Sequence, residues 1–130
     1  MTTEHPSRAG HTTPNAVQKL VQRSHLTQIQ VDTVLTWKQR RENGQPIKKS
    51  SNLVESGSRT VTRGSFYRTL SQAKRNIAKS VNTLILAAIL GLVDEDALSS
   101  LSRLLAMIPA SEPEQIARIT SEIARTKLIS

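Results

Sequence analysis

Residues 62–90 read TRGSFYRTLSQAKRNIAKSVNTLILAAIL, and this stretch decides the fold that the sequence predicts. Its apolar residues recur at spacings of three and four, which is the period of one face of an α-helix. They are Phe66, Leu70, Ala73, Ile77, Val81, Leu84 and Ala88. Thr62 is a favourable N-cap and Gly91 a favourable stop. The stretch therefore predicts one helix roughly 40 Å long, at about 1.5 Å per residue.

The opposite side of this helix is basic and polar. At about 100° per residue, a set of polar side chains falls away from the apolar face. They are Ser65, Arg68, Gln72, Arg75 and Lys79. No acidic residue occurs between Glu55 and Asp94, whereas an ordinary solvated face mixes in Glu for ion pairs. A solvated face without a ligand is the alternative, but the absence of acids favours a polyanionic partner.

This basic face matches the major groove of double-stranded DNA in size and chemistry. The groove is about 12 Å wide and admits one α-helix. Arg68 has the donor geometry to read guanine, and Gln72 has the paired donor and acceptor that adenine requires. Arg75 and Lys79 lie further along the helix, where we expect them to contact phosphates.

Further DNA-binding candidates surround this face. They are Lys48, Lys49, Arg59, Thr62, Arg63, Ser65 and Tyr67. The two hydroxyls of Thr62 and Ser65 lie at the positive end of the helix, which favours backbone phosphates. Arg59 falls in a predicted turn, where it is a phosphate candidate by position. The two lysines are equally well explained as phosphate contacts or as solubilising charges.

The charge of the chain is concentrated in its first part. The formal net charge is +8 over 130 residues, from 18 Lys and Arg against 10 Asp and Glu. Residues 1–80 carry 14 basic and 4 acidic side chains, and residues 81–130 carry 4 basic and 6 acidic ones. A basic first part and a slightly acidic second part predict two different roles.

The composition favours neither an enzyme nor a metal site. Cysteine is absent, which removes disulfides and thiolate ligands. The three histidines are scattered, and no His and carboxylate pair stands out beside a candidate nucleophile. We expect no cofactor and no small-molecule ligand. The longest apolar run, residues 81–93, is too short to span a bilayer, so we expect a cytoplasmic, nucleoid-associated protein.

Capping and stop signals place further helices around the long one. Thr27 and Gln30 have the spacing of a capping box, and Asn43-Gly44 is a stop signal. The predicted helices before the long one are 14–23, 27–42 and a weaker one over 46–56. After it, Asp94 caps a helix that ends before Pro109, and Ser111-x-x-Glu114 reads as the capping box of a final helix. The prediction is all-α, with about six helices and no strands, behind a disordered leader at residues 1–13.

Two segments follow a known pattern. HLTQIQVDTVL, residues 25–35, begins with LT-x-x-Q, and VTRGSFYRTLSQAKRNI, residues 61–77, begins the long helix. The first segment resembles the opening, and the second the recognition helix, of the helix-turn-helix domains of LuxR-type regulators, sigma factor region 4 and archaeal Tfx-like regulators. The residues that match the recognition-helix motif are Thr62, Arg63, Ser65, Phe66 and Arg68.

This resemblance covers residues 24–80 and implies three elements. They are a first helix over 27–42, a supporting helix near 46–56, and a recognition helix from Thr62. Between Gly44 and Val61 the chain has more residues than the family pattern. SGSRT, residues 56–60, stands where the family has a tight turn.

The apolar segment LILAAILGL, residues 84–92, is apolar around the whole helix. It is either the buried centre of the C-terminal helices or a dimer interface. We favour the dimer, because helix-turn-helix proteins pair to reach two half-sites. The predicted interface residues are Leu84, Ile85, Leu86, Ile89, Leu90, Leu101 and Leu105.

The sequence thus predicts a helix-turn-helix domain over residues 14–80, with a long recognition helix that runs into a helical dimerisation region over 81–130. We expect a transcription regulator that binds double-stranded DNA as a homodimer. Three alternatives stay open: a sequence-independent nucleoid or chromatin protein, an RNA- or ribosome-associated helical protein, and an interaction module whose basic face meets an acidic protein.

Overall fold

The computed structural model describes residues 15–129, which are mostly helical with a small two-stranded sheet. The elements in chain order are α1 (Asn15–Arg23), α2 (Gln28–Glu42), β1 (Leu53–Ser56), β2 (Arg59–Thr62), α3 (Arg63–Ile89), α4 (Glu95–Met107), a 3₁₀ turn (Ile108–Ala110) and α5 (Pro113–Arg125). The predicted leader over 1–13 and the helix start at Pro14 lie outside the described residues. None of the helices between residues 15 and 129 combines the length and apolar character that a bilayer crossing needs.

Contacts divide the chain into two compact units. The first takes in Gln18–Lys79, and the second is built around residues 80–129. Helix α3 contributes residues to both units. The core of the first unit consists of Ile47, Val54 and Phe66, with Trp37, Val61 and Tyr67 packed against it. It is a small core, and it lies between α2, the sheet and the start of α3.

The helix ends that the sequence predicts for α2 and the start of α3 are confirmed by contacts between neighbouring residues. The Gln30 amide donates to Thr27 Oγ1 and the Thr27 amide donates to Gln30 Oε1, both at 3.1 Å, which completes the capping box of α2. Asn43 caps the other end, and Gly44 follows with φ +68°. Thr62 caps α3, since its Oγ1 accepts the Ser65 amide at 3.1 Å.

The predicted supporting helix over 46–56 is wrong. The chain forms an antiparallel hairpin there, in which Leu53 pairs with Thr62 and Ser56 with Arg59. The turn between the strands is Gly57-Ser58, and Gly57 has φ +62°. A positive φ at the first turn residue is typical of a two-residue hairpin turn, and it costs less free energy at Gly than at any other residue.

The hairpin is stabilised by contacts that come from a distant part of the sequence. Val54 and Ser56 alternate inward along β1 and are 2% and 4% exposed. Ser56 Oγ lies 3.5 Å from Thr33 Oγ1, a buried hydroxyl of α2. Because Thr33 donates its own hydrogen to the Ile29 carbonyl at 2.8 Å, Ser56 is the donor between the two. One of the two inward positions of β1 is thus a serine, which explains why the sequence pattern does not indicate a strand.

The second unit contains two short helices and a closing bridge. Asp94 Oδ2 accepts the Ala97 amide at 2.9 Å, so Asp94 is the N-cap of α4. Val93 forms an antiparallel bridge with Ile129, and the Asp94 amide donates to the Leu128 carbonyl at 2.8 Å.

The capping box predicted at Ser111 and Glu114 is wrong by one residue. The Glu112 amide donates to Gln115 Oε1 at 2.9 Å, and Glu112 is the N-cap of α5. The Ser111 hydroxyl donates instead to the Met107 carbonyl at 2.7 Å. Ser111 therefore satisfies a carbonyl at the end of α4 and does not start α5.

Candidate nucleic-acid interface

The first half of α3 has a buried side and an exposed side. Phe66, Leu70 and Ala73 are buried and hold the helix against the first unit. The exposed side carries Arg68, Gln72, Arg75 and Lys79. These four residues, here called the basic stripe, share one face because they are spaced by three and four along the helix. Arg68 follows Phe66 by two residues, about 200° around the helix, so this face lies opposite the buried side.

The charges of Arg68 and Arg75 in the basic stripe are not neutralised by any described residue. Arg68, Gln72 and Arg75 have no hydrogen-bond or ion-pair partner among residues 15–129. By contrast, the Lys38 ammonium lies 2.8 Å from the Glu42 carboxylate, one turn away on α2. The guanidinium groups of Arg68 and Arg75 therefore face solvent with their full donor sets available.

The N-terminus of α3 is open next to the basic stripe. Thr62 Oγ1 accepts the Ser65 amide, which leaves the hydroxyl hydrogen of Thr62 available to an acceptor. A Cβ added to Gly64 would meet nothing within 4 Å. Ser65 is half-buried at the edge of this turn. The turn thus presents polar groups and the positive helix end without a bulky side chain at Gly64.

Two of the predicted site residues lie away from the basic stripe. The Arg63 guanidinium lies over the Tyr67 ring, 4.9 Å from its centroid. Arg63 Nε is buried and has no hydrogen-bond partner in the described structure. Both side chains are half-buried, and Tyr67 packs against the core of the first unit. They belong to a different flank of α3 and do not join the four residues of the stripe.

Arg59 and the two lysines occupy other elements. Arg59 is exposed on β2 and lines a cleft of about 210 Å³ between α2, the hairpin and α3. The cleft has a carboxylate from Asp32 and hydroxyls from Ser65 and Thr69 in its walls. Lys48 and Lys49 are exposed in the loop before the hairpin. The structure therefore gives these three cations positions of their own, outside the stripe.

A group of cations around Trp37 escapes sequence reasoning. The Lys74 ammonium lies 4.1 Å from the centroid of the Trp37 ring, and Arg41 Cζ lies 4.8 Å from it. A lone tryptophan is expected to pack in a core, and Trp37 does contact the core of the first unit. The spacing of Trp37 and Arg41, one turn apart on α2, is a signal for half of this group. The contribution of Lys74 from α3 requires the tertiary structure.

Two hydrogen bonds hold α2 and α3, the helices that carry the basic stripe and the cations around Trp37. Arg40 Nε donates to the Gln45 carbonyl at 2.8 Å and closes the loop after α2. The Asn76 side-chain amide donates to the His25 carbonyl at 3.2 Å, which joins α3 to the start of α2. Arg40 is thus a structural residue, unlike its neighbour Arg41.

The second half of α3 exposes an apolar surface. Among the predicted interface residues, Leu86 is 55%, Ile89 75% and Leu90 63% exposed. Ile85 and Leu105 are also exposed, whereas Leu84 and Leu101 are half-buried. Packing within the second unit therefore leaves most of this apolar segment exposed to solvent.

Comparison with known proteins adds no relative to this picture: no family model, curated protein or solved structure matches the chain.

Proposed function

We propose that the protein binds double-stranded DNA by placing the basic stripe of α3 in the major groove, and that it regulates transcription. The observation that carries the proposal is the stripe itself. Arg68, Gln72 and Arg75 lie exposed on one helical face, with no partner in the described structure and no acid beside them on α3. This is the chemistry that base edges and phosphates require.

The first unit supports this role by fixing the helix from behind. Phe66 packs into the core with Val54 of the hairpin, and Asn76 is hydrogen-bonded to the start of α2. A rigidly held helix can present its side chains to a groove with little loss of conformational entropy. The hairpin takes the place of the supporting helix that the family resemblance implied, so the resemblance now supports α2 and α3 alone.

The proposal includes pairing of two copies through the second half of α3. Leu86, Ile89 and Leu90 form a large exposed apolar surface, which a soluble monomer rarely leaves uncovered. A second copy of the same helix is a partner of matching chemistry. Two copies would carry two basic stripes, as two half-sites require.

Selection of bound duplexes from a random pool tests the proposal directly. We expect an enriched motif, and a preference for that motif over mixed sequence of roughly 10³ or more. Arg68→Ala combined with Gln72→Ala should reduce the preference by roughly 10- to 100-fold for each base-reading side chain removed. Arg103→Ala, an exposed arginine on α4, is the matched control and should leave binding unchanged.

Other outcomes distinguish the alternatives. Equal binding to all duplexes, with a steep salt dependence, would support a sequence-independent nucleoid protein. Tighter binding to structured RNA than to duplex DNA would contradict the proposal. Unchanged duplex preference in the double variant would show that the stripe does not read bases.

A further inference from the structure

The Trp37 group is a second concentration of positive charge in the first unit. Trp37 and Arg41 come from α2, and Lys74 comes from α3. Both cations lie over the same ring, at 4.8 Å and 4.1 Å from its centroid. Because both cations lie over one ring, they are close to each other. We call Trp37, Arg41 and Lys74 the aromatic–cation cluster.

The core determines where this cluster lies. Trp37 packs against Ile47, Val54 and Phe66, so the ring cannot move freely. Attraction to the π-electrons keeps the two side chains near the ring and lowers the entropy that they would lose on binding. The cations are therefore preorganised, although both are exposed.

The charge of the cluster has no acidic counterpart. Neither Arg41 nor Lys74 has a side-chain hydrogen bond or ion pair with a described residue. Glu42, the acid next to Arg41 in sequence, is paired with Lys38. The aromatic quadrupole is a weak partner for an exposed cation, and an oxyanion with charge-assisted hydrogen bonds is a stronger one.

Lys74 lies on the flank of α3 between the basic stripe and the buried side, and Arg75 is the stripe residue nearest to it around the helix. Lys74 and Arg75 are about 100° apart around α3. In the arc between them lie the small exposed residues Ser71 and Ala78, together with half-buried Tyr67 on the side of Lys74. A helix in a groove about 12 Å wide has a sugar–phosphate backbone on its flanks. When Arg68 and Gln72 face base edges and Arg75 faces a phosphate, the cluster lies on the backbone side of Arg75.

We propose that Arg41 and Lys74, held over Trp37, bind backbone phosphates at the edge of the groove that α3 occupies. This inference rests on the proposed function and adds a second contact surface, supplied by α2, that fixes the angle of α3 in the groove. The cluster binds phosphate and does not stack bases, because the Trp37 ring packs on the core and is already covered by cations.

The salt dependence of duplex binding tests the cluster. The slope of log K against log salt is negative, and each phosphate contact adds about 0.9 to its magnitude. Arg41→Gln combined with Lys74→Gln should lower that slope by about 0.9 to 1.8, on mixed and selected duplexes alike. Lys74→Arg alone, which keeps the charge, should leave most of the wild-type salt dependence in place. Lys19→Gln combined with Arg103→Gln removes two exposed charges elsewhere and should leave the slope unchanged.

Trp37 supplies a second readout, because it is the single tryptophan of the chain. Duplex binding should change its emission as the two cations turn to phosphates, and the change should disappear in the double Gln variant. A normal slope in that variant, or constant emission at saturating duplex, would overturn the proposal. Far-UV circular dichroism and thermal unfolding verify that the variant is folded.

The same measurements separate this inference from the proposed function. If Arg68→Ala with Gln72→Ala leaves sequence preference intact while the cluster variant lowers the slope, the groove assignment fails and the phosphate cluster stands. If the stripe variant loses sequence preference while the cluster variant behaves as wild type, the phosphate cluster fails and the groove assignment stands. Tighter binding to single-stranded DNA, with a larger change in Trp37 emission, would contradict the cluster as a duplex-backbone contact.

Discussion

The turn of the hairpin rests directly on α2 at one pair of residues, Gly57 and Asp32. A Cβ atom added to Gly57 would lie 2.7 Å from Asp32 Oδ2 and 3.2 Å from Asp32 Cβ. Gly57 also has φ +62°, a conformation that L-residues rarely adopt. The two conditions act together, because the turn that forms the hairpin is also the surface that approaches the helix.

Gly57→Ala should therefore destabilise the first unit by roughly 1–3 kcal/mol, through backbone strain and displacement of the turn from Asp32. Urea unfolding followed by Trp37 emission measures the change. Gly44→Ala is a graded control, because Gly44 has φ +68° but open space around its Cβ position. It should cost less than Gly57→Ala.

A third glycine variant gives the opposite sign. Gly64 lies in the first turn of α3 without a positive φ, and nothing is within 4 Å of its Cβ position. Gly64→Ala should stabilise by up to about 1 kcal/mol, because Ala loses less entropy in a helix. Equal effects at Gly57 and Gly64 would contradict the described turn.

Arg75 is assigned to a phosphate and not to a base. Arg75→Gln should weaken binding to selected and mixed duplexes by similar factors, and it should lower the salt slope by about 0.9. Filter binding at several salt concentrations provides both numbers. A loss confined to the selected duplex would instead place Arg75 on a base edge.

The exposed apolar surface of α3 predicts a concentration-dependent dimer. Ile89, 75% exposed, should tolerate a charge in the monomer, so Ile89→Glu should shift the protein to monomer while its circular dichroism stays the same. Analytical ultracentrifugation at micromolar concentration measures this shift. Leu20→Glu is the matched control, because Leu20 is also exposed but lies on α1. A wild-type monomer at tens of micromolar would contradict the predicted dimer.

Local chemistry makes the helices readable from the sequence. The box of Thr27 with Gln30 and the caps at Thr62 and Asp94 involve atoms within three residues of each other, so no distant contact is needed to form them. The error at Ser111 has the same local origin. Two candidate caps stand side by side, and the hydroxyl of Ser111 closes the preceding helix.

The candidate site is readable in part for the same reason. The exposure of Arg68, Gln72 and Arg75 follows from their spacing relative to Phe66 on a single helix. The aromatic–cation cluster is not readable, since Lys74 reaches Trp37 from another helix. Sequence position alone assigns Arg63 to the stripe side of α3, and its contact with Tyr67 places it on the flank that also carries Lys74.

The sequence by itself determined the five helices of the described residues, most of their ends and the separation of charge along α3, because these depend on period and on neighbouring residues. Only the tertiary structure decided the hairpin over residues 53–62. Its strands are short and hold few apolar residues, so their own propensity does not select them. Burial of Val54 with Phe66, pairing of Ser56 with Thr33 and the fit of Gly57 against Asp32 supply the missing free energy, and all three partners lie far away in the chain or on another element.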